Sequence, residues 1–170
     1  MNILKRLRRV FERLLEAVTV LQMAALAIVV IVAVIYRWAG ESLSWYDEVA
    51  SIQLAWLTYY GSALAALKRS HIGVTAVLNA VRPQLRVVLF LIGEVIVIGF
   101  FVTLGWIGYM VLGVLAGDTL VSLPEVSVQF TQSVIPISSV LFIVAQLMSF
   151  PEEFAKAKSE HAEMSATDKG

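Results

Sequence analysis

The residues able to do chemistry in this chain are few. Its 170 residues include no cysteine and only two histidines, which excludes disulfide exchange, iron–sulfur clusters and thiolate zinc sites. His71 has no second metal ligand nearby, and His161 lies in a polar tail, so neither a metal centre nor a bis-histidine haem site can be assembled from this chain alone. No nucleophile is paired with a base and no phosphate loop is present. The expectation is a protein that is not an enzyme and that has no cofactor, no metal and no substrate-contacting residue of its own. What remains is charge. Glu94 is the one ionisable residue well inside an apolar run. It has the chemistry of a proton or sodium relay, or it neutralises Lys68, Arg69, His71 or a group on another subunit. Asp47 and Glu48 stand at the start of a second apolar run, where negative charge complements the positive end of a helix dipole.

The elements that must position these residues are set by hydropathy. A hydrophobic fraction of 59% and a mean hydropathy of +0.81 exceed what a soluble core of this size can bury. Four apolar runs, at about 17–38, 49–67, 87–115 and 128–150, are long enough to cross a hydrocarbon core of about 30 Å. The first is longer than a signal-peptide core, and Tyr36-Arg37-Trp38 offers no cleavage site, so a retained anchor is expected. The third is overlong and should tilt or emerge from the lipid. Pro136 in the fourth sits either in the first turn or at a kink. The predicted fold is all-α and integral to the membrane. Residues 1–156 form one four-helix domain, and 157–170 form a polar tail that begins as a short helix.

Basic residues segregate sharply. Lys5, Arg6, Arg8, Arg9 and Arg13 precede the first run, Lys68, Arg69, Arg82 and Arg86 lie between the second and third, and Lys156, Lys158 and Lys169 follow the fourth. Only Arg37 falls on the other face, whose loops carry Glu41, Asp47, Glu48, Asp118 and Glu125. Four spans with both termini cytoplasmic satisfy this distribution. Two amphipathic stretches predict helices lying in the membrane surface. One has Ile3, Leu4, Leu7, Val10, Phe11 and Leu14 as its apolar stripe; the other, in the cytoplasmic loop, has Val74, Val77, Leu78, Val81 and Leu85. The first is basic and attracts anionic lipid headgroups. Nucleic acid is not an expected partner.

The stretch from Trp45 to Val74 carries a finer pattern. It has Trp45-x-Asp47-Glu48, then Trp56, then Gly61, then Lys68-Arg69 and His71-Ile72-x-Val74. This pattern, with the chain length and span count, resembles the Q-type small membrane subunit of tripartite ATP-independent periplasmic (TRAP) transporters. The resemblance implies an inner-membrane subunit that associates with a large translocating subunit, served by a periplasmic substrate-binding protein. It also implies uptake of an organic acid driven by a sodium or proton gradient. The Trp-x-Asp-Glu element is implied to make an interhelical or intersubunit contact near the periplasmic surface.

The residues themselves support a tetraspan accessory subunit with little polar interior and many small sites. Ala55, Tyr59, Ser62 and Ala66 make a narrow ridge beside Gln53, Trp56 and Tyr60, and glycines recur at 61, 93, 99, 105, 108, 113 and 117. Two other readings stay open. One is a stand-alone small exporter working as a homodimer around Glu94; the other is a membrane anchor for an unrelated complex.

Overall fold

A computed structural model describes residues 2–68 and 83–167. Arg69, His71 and the surface helix expected in the second loop lie outside the described residues. Helix α1 runs from Asn2 to Trp38. No glycine or proline interrupts these residues, so the basic amphipathic stretch and the first span form one continuous helix, not the separate surface helix expected. At 1.5 Å per residue it is about 55 Å long, well beyond the thickness of a hydrocarbon core. It stops at a Schellman turn. Gly40 takes a left-handed φ of 88°, its N–H donates to the Arg37 carbonyl, and the Glu41 N–H donates to Tyr36.

Helix α2 spans Tyr46–Leu67. Helix α3, Pro83–Val114, begins on Pro83, whose missing N–H costs nothing in a first turn. A short α4, Val128–Gln132, is followed after Ser133 by α5, Val134–Thr167. The break at Ser133 places Pro136 in the first turn of α5, one of the two positions open to it from the sequence. Pro151 lies inside α5, and the helix continues past it to Thr167.

Among the described residues, three helices are long and apolar enough to cross a membrane: Arg6–Trp38, Val87–Val114 and Val128–Pro151. The sequence reading expected four. The remaining helix, α2, has 22 residues, but Gln53, Thr58, Tyr59, Tyr60 and Ser62 dilute its apolar character.

The helices pack in the order α1, α2, α5, α3. Arg8, Leu15 and Glu16 of α1 meet the last turn of α2, so these two run antiparallel. α2 and α5 run parallel, because Trp56 meets Thr131 at one end and Leu67 meets Ser149 at the other. α3 is antiparallel to α5, with Phe90 beside Phe150 and Phe101 stacked on Phe142 at 3.6 Å. The result is an open row of helices. α5 lies inside it, with 39% of its span buried, against 6% for α1 and 11% for α3 at the edges. Leu15, Ala63, Ala66, Leu67, Phe142 and Ala145 form the buried core. Leu21, Ile28, Val95, Ile96, Phe100 and Met110 face outward, as lipid-exposed side chains do.

Candidate functional site: the outer end of helix α2

The α2 helix begins without a side-chain cap from Trp45, which occupies the N-cap position in a helical conformation. Its first turn instead carries Asp47 and Glu48, placing two negative charges at the positive end of the helix dipole. The two carboxylates part ways from there. Asp47 is exposed and raises the pKa of the Tyr46 hydroxyl by hydrogen bonding to it. Glu48 is half-buried and reaches out of its own helix.

The residues it reaches form a small hairpin. Gly117 turns the chain with a φ of 100°, and Thr119 and Ser127 then form an isolated antiparallel bridge. The Leu120 N–H donates to Val126 and the Val128 N–H to Asp118, both at 3.0 Å. Ser127 closes the hairpin and caps α4, its hydroxyl accepting from the Gln129 N–H at 3.2 Å. At the tip, the Val121 N–H donates to Glu48 Oε1 at 3.2 Å, and the Ser122 N–H donates to Oε2 at 2.9 Å. The Ser122 hydroxyl also donates to Oε2. These bonds, the Ser122 hydroxyl first, hold the Glu48 carboxyl below the ordinary carboxylate range.

Below the hairpin, the Trp56 indole donates to the Thr131 carbonyl at 2.8 Å. That carbonyl sits where the helical ladder is interrupted between α4 and α5, so the indole supplies a donor at the break. The Trp56 ring also lies 5.5 Å from Phe130 and 6.3 Å, edge-on, from Tyr60. The Asp47, Glu48 and Trp56 positions are thus gathered around one structure, the hairpin with its following helix break.

The other motif residues lie elsewhere. Lys68, at the opposite end of α2, is paired with Glu16 of α1, which raises its pKa, and the Arg8 guanidinium donates to the Leu67 carbonyl at 2.9 Å. A side chain at Gly61 would meet nothing within 4 Å. Arg69 and His71 are outside the described residues. Glu94 is 8% exposed between α3 and α5, where the Gln146 side-chain amide donates to it at 2.8 Å. Lys68, one of the partners open to Glu94 from the sequence, is engaged with Glu16.

Sequence reasoning missed Ser122, Thr131 and Gln146. Only Gln146 leaves a legible mark, as an amide well inside an apolar run. Ser122 and the Thr131 carbonyl act through contacts more than 70 positions away in sequence. Of the recurring glycines, Gly105 and Gly108 lie against α5, where an added Cβ would come within 3.1 Å of Ser139 Cβ and 2.7 Å of Ile135 Cγ2. An added Cβ at 61, 93, 99, 113 or 117 would meet nothing within 4 Å.

The family model of the tripartite ATP-independent periplasmic transporters, DctQ component, matches residues 26–156. The sialic acid TRAP transporter small permease protein SiaQ of Vibrio cholerae serotype O1 is 31% identical over 107 residues, which cover 61% of this chain and 62% of that relative. The likeness to that relative therefore spans less than two thirds of its length. The family match is broader and takes in part or all of every described helix, from the middle of α1 through α2, α3 and α4 into α5, and the chain belongs to the DctQ-component family, the small permease subunits of TRAP transporters.

Proposed function

We propose that this chain braces the large translocating subunit of a TRAP transporter in the inner membrane, with α2 crossing as a fourth span and both termini in the cytoplasm. The assembly takes up an organic acid delivered by a periplasmic binding protein and is driven by a sodium or proton gradient. The sialic acid in the name of the Vibrio cholerae relative is itself a carboxylate, which fits this substrate class. Residues 1–156 act as the single membrane unit, and 157–170 form its polar tail.

The observation that carries this reading is the uncovered face of α2. Ser51, Ala55 and Thr58 are exposed, and Gly61, Ser62 and Ala65 are only half-buried. The hydroxyls of Ser51, Thr58 and Ser62 are satisfied by carbonyls of their own helix at 2.7–2.8 Å. Large aliphatic and aromatic groups clothe the outward faces of α1 and α3, as lipid contact favours. Leu54, 55% exposed, is the one large side chain on this face, and a face otherwise made of small side chains with internally satisfied hydroxyls suits another helix packed at close range.

Purification of the tagged chain from its native membrane tests the reading, with a large multi-span subunit expected to accompany it. Gly61→Leu, at a position where an added Cβ meets nothing within 4 Å, should leave that subunit folded and abolish the association. Capture of no large membrane protein by the wild-type chain would sink the bracing role. Undiminished capture by Gly61→Leu would move the contact away from α2.

A further inference from the structure

We propose that Glu48 is a positioning residue whose carboxylate mounts the 118–127 hairpin on the outer end of α2, making the hairpin tip at Val121 a fixed landing point for the solute-binding protein. The landing point rests on the function proposed above; the mount does not.

The geometry of the mount is specific. Three donors converge on two oxygens, with Val121 N–H on Oε1 and both Ser122 donors on Oε2. Apart from these bonds the hairpin has one isolated bridge, the buried side chain of Leu120 and a left-handed pivot at Gly117, and a two-stranded hairpin of this size has little stability of its own. Glu48 belongs to a helix whose far end is locked into the core through Ala63, Ala66 and Leu67. Its carboxylate therefore transmits the rigidity of the bundle to the loop.

The tip is shaped for a protein and not for lipid. Val121 is 93% exposed, while its neighbour Leu120 is 8% exposed, so one aliphatic side chain is held outward beside one that is tucked in. Asp47, Asp118 and Glu125 around it are exposed, giving a face that repels anionic headgroups and attracts a basic rim. A soluble protein presenting a shallow apolar notch with basic edges fits this surface, and docking at a fixed point costs less ordering entropy than docking on a loose loop.

The cysteine-free chain allows a direct test. A spin label on Val121→Cys should be ordered in the isolated subunit, mobile when Glu48→Gln is added, and intermediate with Ser122→Ala. Val121 N–H and Ser122 N–H each use a different oxygen of Glu48, and Gln puts an NH2 in place of one of them, facing a donor with a donor. In the assembled transporter without the label, Glu48→Gln and Val121→Ser should each weaken binding-protein affinity severalfold while the amount of large subunit recovered is unchanged. An equally ordered label with Glu48→Gln overturns the mount; loss of the large subunit in that variant overturns the landing point, because Glu48 would then hold the complex together. Unchanged affinity in Val121→Ser, or no binding protein on the wild-type complex, overturns the landing point. Because the label is read without any partner, failure of the bracing role and failure of the mount are separable.

Discussion

At the outer end of α2 two adjacent carboxylates illustrate how one atom of reach changes a residue's work. The Asp47 carboxylate stays on its own helix, hydrogen-bonded to the neighbouring Tyr46 hydroxyl; Glu48 extends to the hairpin tip 73 positions away. Hairpin bonding keeps the folded-state pKa of Glu48 below its ordinary value of 4.5. A depressed carboxyl pKa means that the contact is fully present above that ordinary value and is lost as pH falls through the lowered one. A label at position 121 should therefore keep the same mobility from neutral pH down to about 4.5 and loosen only under stronger acid. Glu48→Gln should remove that acid step, which separates it from any contribution of Glu41, Asp47, Asp118 or Glu125 on the same face. A step that persists in Glu48→Gln would assign it to those groups.

Among the elements, α3 packs on α5 through two glycines. Gly105 and Gly108 of α3 face Ser139, Ile135 and Pro136 of α5, and Ser138 and Ser139 are 1% exposed, their hydroxyls bonded to the Ile135 carbonyl. Small groups on both sides allow the backbones to approach, as is usual where no water drives helices together. Glu94 and Gln146 lie further along the same seam. Gly108→Ala should lower thermal stability in detergent by about 1–3 kcal/mol, since the Ile135 branch is anchored at its own Cβ and cannot swing clear. Gly113→Ala, where an added Cβ meets open space, should change stability by no more than about 0.5 kcal/mol and serves as the control. Equal effects of the two would mean that α3 does not pack on α5 at this register.

For the whole molecule the open row has a consequence for topology. Alternating helix directions put the basic segments of α1 and the Lys68 end of α2 on one side, and Glu48 with its hairpin on the other. Single cysteines at positions 2 and 118 should be labelled from opposite sides of the membrane by an impermeant maleimide, with position 2 accessible only after permeabilisation. Labelling of both from the same side would reject the four-span arrangement and with it the cytoplasmic placement of both termini.

Much of this was legible in the chain because it depends on local composition. The lengths of the apolar runs, the absence of a breaker between residues 2 and 38, Pro83 as a starter and the clustering of Lys and Arg are each readable within a window of one helix. The family pattern from Trp45 to Val74 is equally local. Neighbour order was not legible, because four helices of similar hydrophobicity can be arranged in several ways, and only side-chain fit selects among them. The Gly108 and Ile135 contact, the Phe101 and Phe142 stack and the small residues of α2 at the Leu15 core decide that α5 lies between α2 and α3. The same holds for partners. The sequence marked Glu48 and Glu94 as charges needing a reason, but the groups that answer them, Ser122 and Gln146, are brought into reach only by the tertiary packing of α2 and α3 against the α4–α5 segment.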